Sequence, residues 1–515
     1  MKNYFGIRKL IIISFVGILI LFSLSPLAQA SLSLANQFIS LTMDSGQTRN
    51  PLEIKNSSGA PFFTITPNFT LIINKSDGNI GLQLESGSGF EDANYIVFSD
   101  GGNIYAKNGT TGAIVANGTN ASNVIQGILF NLTKDRTWKE RVVLRGNFTL
   151  TTPLNISNYT ILDIQGILFA TPNMGSGNSL IQLNNVTDVE IINGVINGTR
   201  RDQTNNNHGI LITANSTRIK VQNVLLLDIG LYGIYTYDSS DVDILYNRLI
   251  NIGGHGIVGE GAGYNAINVN AIGNSIDTTG LAGSNGNQNG IHYESGGTTG
   301  KLASGHISNN YLIRINKTGI VLSKANRTQV IGNTVIGGGQ EGIVLIAVEN
   351  GIVSKNILDN NDGDANGGYQ NGIRIDDGGQ ASGSKYNLID GNIIFNHSGQ
   401  AIVEKGNANF TIIVNNIVYN NGNPLIATVG NLTKVFNNPG YNPVGQSSIT
   451  VGSSPFTYTA SASTENIYIS GGVVTVIAKI GTTIFQNTNH TVRLQPNETM
   501  TVTYSSAPTM IKDVD

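Results

Sequence analysis

Two glutamates and two histidines in the middle of the chain have the residue types and the spacing for acid–base chemistry. His255 and Glu260 flank the pair Gly256-Ile257, and His292 and Glu294 follow the next such pair. Imidazoles and carboxylates transfer protons, and two carboxyl groups about 5 Å apart are the arrangement used by retaining glycosidases. Whether these side chains meet depends on the elements that carry them.

A repeat through the middle of the chain supplies those elements. A Gly-Ile pair begins at residues 209, 233, 256, 290, 319, 342 and 372, and Ala401-Ile402 takes the same place once more. An Asn-x-aliphatic triplet alternates with this pair, at Asn193, Asn223, Asn247, Asn274, Asn310, Asn333, Asn356, Asn392 and Asn416. Units of this length bury an apolar face only by stacking on their neighbours. The repeat therefore predicts an all-β fold, a right-handed parallel β-helix in which each unit is one coil.

Alternation along a strand predicts which side chains of each coil point outward. If the Ile of each Gly-Ile pair points inward, the residue before the Gly and those two and four after it point outward. We call these outward residues the Gly-Ile face. It is predicted to contact a polysaccharide, with catalytic candidates Glu260, Glu294, His255, His292 and Arg374 and with substrate-binding candidates Tyr232, Tyr235, Tyr237, His208 and Asp376. The alternative is a polar face without an active site, since every β-helix has outward columns.

One inserted segment has the spacing of a calcium loop. Residues 362–367 read Asp-Gly-Asp-Ala-Asn-Gly, which places oxygen ligands at Asp362, Asp364 and Asn366. The twelfth position is Ile373, so the usual glutamate is missing, and Asp377 or its neighbour Asp376 would have to replace it. Calcium is therefore the one cofactor predicted, and an ordinary Asn/Asp/Gly turn is the alternative.

The N-terminal 30 residues are typical of a secretory signal. Lys2, Arg8 and Lys9 precede an apolar run over residues 10–24, and residues 28–30 read Ala-Gln-Ala. Cleavage there would leave 27 basic and 33 acidic residues, a net charge of −6, which disfavours nucleic acid as a partner. We expect a secreted or cell-surface protein that is not integral to the membrane after cleavage. The alternative is an uncleaved anchor.

The regions outside the repeat differ from it in composition. We predict a β-rich region and linker over residues 31–119, the β-helix with a capping helix at Asn120 over residues 120–446, and a small β-domain over residues 447–515. The chain also has 20 Asn-x-Ser/Thr acceptor sites, roughly twice the number expected by chance, which is typical of a glycoprotein. The alternative is that a turn-rich chain places Asn near Thr in any case.

These features together resemble a known superfamily. The helix Asn-Ala-Ser-Asn-Val-Ile-Gln at 120–126, the run Val-Val-Leu-Arg-Gly-Asn-Phe-Thr-Leu at 142–150 and the Gly-Ile coils look like the pectin-lyase-like β-helix superfamily, which includes pectate lyases, polygalacturonases and phage tailspikes. The resemblance implies a lyase, a hydrolase or a non-catalytic adhesin. Residues 454–458 and 502–508 resemble terminal domains of tail-fibre-like proteins, which implies a homotrimer.

Within that superfamily, two motifs point to different activities. Gly254-His255-Gly256 is similar to the Gly-His-Gly of polygalacturonases, but the acidic motifs expected upstream of it are absent and Arg218-Ile219-Lys220 lies on the wrong side. Arg374 with Asp376 and Asp377 is the cluster on this face that suits a calcium-dependent lyase. The sequence therefore predicts a secreted β-helix protein that binds, and in one interpretation cleaves, extracellular polysaccharide. The alternative is a glycosylated surface fibre or adhesin.

Overall fold

The computed structural model describes residues 93–514, except for 173, 175–178, 201–206, 262–267, 282–287, 296–304, 362–369, 382 and 443–444, together with six short strands nearer the N-terminus. Among these, β1 (Ile12–Phe15) pairs antiparallel with β2 (Ile18–Leu21). A separate antiparallel sheet contains β3 (Ser40–Thr42), β4 (Leu52–Lys55), β5 (Pro61–Ile65) and β6 (Leu71–Ile73).

The next part of the chain contains three strands, one helix, and then two long strands with a two-residue strand between them that open the repeat. Their bounds are β7 (Tyr95–Asp100), β8 (Asn103–Asn108), β9 (Ile114–Gly118), α1 (Ala121–Phe130), β10 (Glu140–Leu150), β11 (Leu154–Asn155) and β12 (Thr160–Ala170). The helix lies where the sequence predicts it, because Val124, Ile125, Ile128 and Leu129 form one buried stripe. The side chain of Asn120 caps the helix by accepting a hydrogen bond from the Asn123 N–H at 3.1 Å.

Short strands follow one another through the repeat. In chain order they are β13 (Ser179–Asn184), β14 (Thr187–Ile192), β15 (Val195–Asn197), β16 (His208–Thr213), β17 (Thr217–Gln222), β18 (Leu225–Leu227), β19 (Ile234–Tyr237), β20 (Ser240–Leu245), β21 (Arg248–Ile250), β22 (Ile257–Gly261), β23 (Val269–Ile272), β24 (Ser275–Asp277), β25 (Ile291–Ser295), β26 (Gly305–Ser308), β27 (Tyr311–Ile313), β28 (Ile320–Ser323), β29 (Thr328–Ile331), β30 (Thr334–Ile336), β31 (Ile343–Ile346), β32 (Ile352–Ser354), β33 (Ile357–Asp359), β34 (Ile373–Asp376), β35 (Leu388–Asp390), β36 (Ile393–Phe395), β37 (Ile402–Glu404), β38 (Ile412–Val414), β39 (Ile417–Tyr419), β40 (Ile426–Ala427) and β41 (Lys434–Phe436).

These strands stack into three parallel ladders, so the predicted all-β, right-handed parallel β-helix is confirmed. Within the described residues, one ladder has eleven strands, in the order β11-β13-β16-β19-β22-β25-β28-β31-β34-β37-β40. The other two ladders belong to one 24-stranded sheet that also contains β7, β8 and β9. The eleven-stranded ladder carries the Gly-Ile pairs, and its inward Ile residues belong to one continuous buried core.

The glycines of the Gly-Ile pairs allow consecutive coils to approach closely. A Cβ atom built on Gly256 would lie 2.6 Å from the carbonyl oxygen of Gly290, and one built on Gly290 would lie 2.6 Å from that of Gly319. No real Cβ tolerates such a contact with backbone. The glycine therefore recurs because the coils stack with its Cα against the carbonyl of the next coil.

A buried asparagine ladder accounts for most of the Asn-x-aliphatic triplets. The side-chain N–H of Asn247 donates to Oδ1 of Asn274 at 3.1 Å, and the same contact continues through Asn310, Asn333, Asn356, Asn392 and Asn416 to Asn438. Asn193 and Asn223 match the same triplet but lie outside the ladder. They occupy the left-handed turn position one residue before the ladder, with φ of 64° and 57°, because Asn suits that conformation as well.

The C-terminal strands form two antiparallel sheets with their own buried cluster. The strands are β42 (Gly445–Ile449), β43 (Phe456–Thr459), β44 (Glu465–Ser470), β45 (Val473–Lys479), β46 (Thr482–Phe485), β47 (His490–Leu494), β48 (Thr499–Ser506) and β49 (Thr509–Val514). Their orders are β42-β49-β44-β47 and β43-β48-β45-β46. Ile467, Ile477, Leu494 and Val502 lie in the core between them, separate from the core of the coils. No helix among the described residues is long and apolar enough to cross a membrane.

Candidate functional site

The strand register brings the predicted residues of the Gly-Ile face together. Tyr237 pairs with Glu260 across β19 and β22, and Glu260 pairs with Glu294 across β22 and β25. His292 lies opposite Val258 in the same register. Neighbouring strands are about 4.8 Å apart, so the two glutamates lie on adjacent rungs of one outward column.

Beneath this column, the inward side chain of Tyr293 occupies space that is left by a glycine on the neighbouring strand. Tyr293 alternates with His292 and Glu294, so its ring points into the coil, where it is fully buried. A Cβ atom on Gly259, its partner on β22, would lie 2.9 Å from that ring. Glycine at this position therefore allows a large inward ring directly below the strand that carries Glu260.

Aromatic rings form one end of the face. The ring of Tyr232 lies 5.0 Å from the ring of His208, 5.0 Å from that of His255 and 5.3 Å from that of Tyr235, between ring centres. Tyr235 and Tyr237 are 6.1 Å apart. All three predicted tyrosines thus join one cluster with two histidines. Aromatic rings of this kind offer apolar faces and polar edges to a ligand.

Two members of the cluster are held in uncharged forms. Burial lowers the pKa of His208 to about 4, so its ring is neutral near pH 7. Burial, together with the neighbouring carboxylate of Glu260, raises the pKa of the Tyr235 phenol. The Tyr235 hydroxyl donates to a carboxylate oxygen of Glu260 at 2.7 Å, which fixes the first glutamate of the pair.

The second glutamate is held by the histidine on its own strand. Nε2 of His292 lies 3.1 Å from Oε2 of Glu294, and the Ser323 hydroxyl donates to the other oxygen at 3.4 Å. The hydrogen bond from His292, with a smaller contribution from the charge of Lys324, lowers the pKa of Glu294. Glu294 is therefore an ionised carboxylate with a fixed orientation, suited to act as a base or a nucleophile.

A small cavity opens between these groups. Its volume is about 70 Å³, and its lining residues are Tyr232, His255, Val258, Glu260, His292 and Glu294. Among the described residues, none of the side chains that line it is a lysine or an arginine. The lining of the cavity therefore carries two carboxyl groups, while the charge of Lys324 on the next coil acts on Glu294 from outside the lining.

Arg374 and Asp376 lie three coils away in a separate network. Arg374 donates from Nε to the buried carboxylate of Glu341 at 2.6 Å and from Nη1 to Asp376. The Thr318 hydroxyl donates to the second oxygen of Glu341 at 3.0 Å. Because Arg374 bridges two carboxylates, the structure gives it the environment of an ion pair that ties coils together. It does not join the cavity residues.

The Gly-Ile face is also less exposed to solvent than strand alternation predicts. The midline residues Val258, Val321 and Val344 point away from the coil interior, yet all three are buried. The buried Glu341 lies on the same face. Part of the Gly-Ile face within the described residues is therefore closed by packing.

The predicted calcium ligands fall largely outside the described residues. Asp362, Asp364 and Asn366 lie in the stretch 362–369, so the structure does not test them. The two oxygens of Asp377 accept backbone N–H groups of Gly379 and Asn407, both at 2.9 Å, and these bonds lower the pKa of Asp377. The Asp377 carboxylate therefore accepts hydrogen bonds from the backbone of turns. No group of three or more metal-binding side chains occurs elsewhere in the part of the chain that the structure describes.

Sequence reasoning assigned no role to Asn289, Ser323 or Glu341, although all three lie on the predicted face. Asn289 contacts both His255 and His292, and Glu341 is the main partner of Arg374. The positions of these residues on the face could be predicted from the repeat. Their hydrogen-bond partners could not be predicted, because such bonds depend on side-chain rotamers that a linear pattern does not specify.

Comparison with known proteins gives structural neighbours only. No family model and no curated protein sequence matches the chain. Among solved structures, the A-module of an Azotobacter vinelandii mannuronan C-5 epimerase is 13% identical with a TM-score of 0.41, covering 62% of this chain and 95% of that one. The Dettilon tailspike protein is 13% identical with a TM-score of 0.48, covering 76% and 90%. A mannuronic acid specific polysaccharide family 6 lyase from human gut microbiota is 13% identical with a TM-score of 0.39, covering 56% and 68%.

The strand ladders themselves confirm the resemblance to parallel β-helix proteins as a matter of fold. At 12–14% identity these structures carry no information about the role of any residue in this chain. The chemistry of the face has to be argued from its own contacts.

Proposed function

We propose that the protein binds an extracellular polysaccharide at the aromatic and carboxylate cluster of the Gly-Ile face and hydrolyses it with Glu260 and Glu294. The observation that carries the proposal is the register of the two glutamates on adjacent strands, next to three tyrosines and within a common cavity. A pair at strand spacing suits retaining hydrolysis, in which one carboxylate attacks and the other carboxyl group protonates the leaving oxygen. In this proposal Glu294, whose pKa is lowered, is the carboxylate that attacks, and Glu260 is the second carboxyl group of the pair.

Electrostatics favour hydrolysis over elimination from a uronate. A lyase has to stabilise the negative charge that develops next to the sugar carboxylate, which calls for cationic groups or a metal. The described lining of the cavity has two carboxyl groups, and Arg374, three coils away, is engaged with Glu341 and Asp376. A polyanionic sugar would be repelled at this cavity, whereas a neutral one would not.

A second candidate function is a surface adhesin without catalysis. The buried midline valines and the fully engaged Arg374 favour it, because much of the face is then occupied by packing and ion pairs. In that case the tyrosine cluster binds sugar and the glutamates orient it. Both functions predict that the protein binds polysaccharide, and only the first predicts that it cleaves the polysaccharide.

Product analysis separates the candidates. We expect new reducing ends on at least one member of a polysaccharide panel, without unsaturated products, and a loss of at least 100-fold in rate for Glu294→Gln and for Glu260→Gln. Glu349→Gln, on another face, is the matched control and should retain the wild-type rate. Unsaturated products would indicate a lyase, and binding without products would indicate the adhesin.

We also propose that the chain is exported, glycosylated and trimeric. The leader-like N-terminus, the acceptor sites and the terminal β-domain support these proposals. The acceptor asparagines that lie in the described residues are not buried, from Asn108 to Asn497, which leaves them accessible to a glycosyl donor. No acceptor site falls between Asn215 and Asn316, so the coils with the cavity would stay bare of attached sugars. Light scattering should give three times the chain mass, and a monomer mass would overturn the trimer.

A further inference from the structure

A single buried asparagine contacts both histidines of the cavity. Asn289 lies directly before Gly290-Ile291 and is only 7% exposed. Its backbone N–H donates to Nδ1 of His255 at 2.9 Å. Its side-chain nitrogen lies 3.1 Å from Nδ1 of His292. One residue therefore meets the same ring nitrogen of two histidines on adjacent coils, and their ring centres lie 4.7 Å apart.

The direction of the Asn289 amide follows from a third contact. Its Oδ1 accepts the backbone N–H of Thr318 at 3.3 Å. A backbone N–H only donates, so the atom facing it must be the oxygen. The NH₂ group is left to face His292, and the amide cannot be turned round without losing the Thr318 bond.

These contacts determine where each ring carries its proton. A ring nitrogen that accepts a hydrogen bond holds no proton, and a neutral imidazole then holds its proton on the other nitrogen. His255 accepts the Asn289 backbone N–H at Nδ1, and His292 accepts the Asn289 side chain at Nδ1. Both rings are therefore neutral Nε2–H tautomers, and the Nε2–H of His292 is the donor to Glu294.

We propose that Asn289 is a positioning residue that fixes the neutral Nε2–H tautomer of both histidines and, through His292, the orientation of the Glu294 carboxylate. The link to Glu294 rests on the proposed function, whereas the tautomers do not. His255 in this tautomer cannot act as a base at Nε2. The relay from amide to imidazole to carboxylate leaves Glu294 as the group that carries negative charge.

The two histidines depend on different parts of Asn289. The contact to His255 uses the backbone N–H, which any substitution other than proline retains. The contact to His292 uses the side chain. A substitution at this position should therefore remove the contact to His292 and keep the contact to His255. In each variant, His255 then serves as the internal reference for His292.

Asn289→Asp makes the sharpest test. It replaces the NH₂ donor by an acceptor oxygen, so Nδ1 of His292 gains a proton while Nε2–H still faces Glu294. The other charged or titratable groups near this ring are His255 just before β22, Glu260 on β22 and Lys324 after β28. These groups are the same in wild type and in Asn289→Asp, so they do not account for a difference between the two proteins. A ring between two carboxylates should bind its second proton at least about tenfold more tightly.

The measurement is nitrogen-15 NMR of histidine side chains in the full-length chain, with assignment by His255→Gln and His292→Gln. We expect both wild-type rings to give the neutral Nε2–H pattern at pH 7.5. In Asn289→Asp, the His292 titration midpoint should rise by about one pH unit or more while His255 keeps its pattern. Asn289→Ala, which adds no charge, should leave His292 as a mixture of tautomers and covers the case in which the acidic variant does not fold.

Asn371→Asp is the matched control. Asn371 occupies the same position before Gly372, is 3% exposed and also accepts a backbone N–H, from Gln400 at 3.0 Å. Its contacts in the described residues include no histidine, so both cavity rings should keep their wild-type signals. An Nδ1–H tautomer at either wild-type ring, or an unchanged His292 in Asn289→Asp, would overturn the proposal. Because this readout needs no glycan, the absence of turnover on every polysaccharide would count against the proposed function and leave the tautomers untouched.

Discussion

At the scale of single residues, the site combines neutral rings with charged carboxylates. His208 and Tyr235 are held uncharged by burial, while the hydrogen bond from His292 holds Glu294 ionised. The outward positions of these side chains could be predicted because a strand alternates with a period of two. The contact of Arg374 with Glu341 and that of Asn289 with His255 could not, because they join residues on different coils that are 33 and 34 positions apart in sequence.

The buried His208 should make stability depend on pH. Its folded pKa of about 4 is below the ordinary value of 6.5, so between these values the unfolded chain binds a proton that the folded chain does not. The free energy of unfolding should therefore fall as the pH is lowered from about 6.5 towards 4, with His208 contributing at most about 1.4 kcal/mol per pH unit.

Urea unfolding at several pH values measures that contribution. His208→Phe keeps an aromatic ring in the cluster and removes the titrating group, so its stability should vary less steeply with pH over this window. His306→Phe, at an exposed ring, is the matched control. An equal slope for His208→Phe and wild type would contradict the assignment.

At the scale of the elements, each coil depends on a glycine at one place and an asparagine at another. The Gly-Ile repeat revealed the coils from sequence because the glycine has a steric cause that recurs in every one. The asparagine repeat was less clear, since Asn193 and Asn223 satisfy the same triplet at a turn. The triplet alone does not distinguish a buried ladder position from a left-handed turn, because asparagine suits both.

Replacing a repeat glycine should therefore destabilise the chain. A Cβ at Gly319 would lie 2.7 Å from the carbonyl oxygen of Gly342, so Gly319→Ala should lower the free energy of unfolding by about 1–3 kcal/mol. Gly127→Ala is the contrasting control, because Gly127 lies within α1 with open space around it and should gain about 0.5–1 kcal/mol. Chemical denaturation of both variants tests the pair. Equal effects would contradict the steric account of the repeat.

Interrupting the asparagine ladder should be costly as well. Asn333 donates to Oδ1 of Asn356 at 3.0 Å and to the carbonyl oxygen of Ile307 at 2.8 Å, and its own Oδ1 accepts from Asn310. Asn333→Ala leaves buried partners without hydrogen bonds and should lower the free energy of unfolding by about 1–3 kcal/mol. Asn466→Ala, on the less buried β44, should change it by less than about 0.5 kcal/mol. A neutral Asn333→Ala would mean that the ladder does not stabilise the coils.

At the scale of the whole molecule, the β-helix sets the geometry of the face while the inserted segments lie mostly outside the described residues. The calcium loop at 362–367 is one of these segments, so its ligands stay a prediction. Calorimetry with and without Ca²⁺ tests it. Binding should raise the melting temperature, because a ligand that binds only the folded state stabilises it. Asp362→Asn should abolish the rise, and an unchanged wild-type melting temperature would contradict the prediction.

The central claim is that the cluster from Tyr232 to Glu294 is where this molecule binds polysaccharide. The most direct test is affinity electrophoresis of the purified chain over a panel of neutral and acidic polysaccharides. Wild type should be retarded by at least one of them, and Tyr232→Ala should weaken that binding by about tenfold or more. Tyr311→Ala, which removes an exposed tyrosine on β27 in another ladder, should bind as wild type does. Retardation lost in Tyr311→Ala but kept in Tyr232→Ala, or no retardation by any polysaccharide, would contradict the claim.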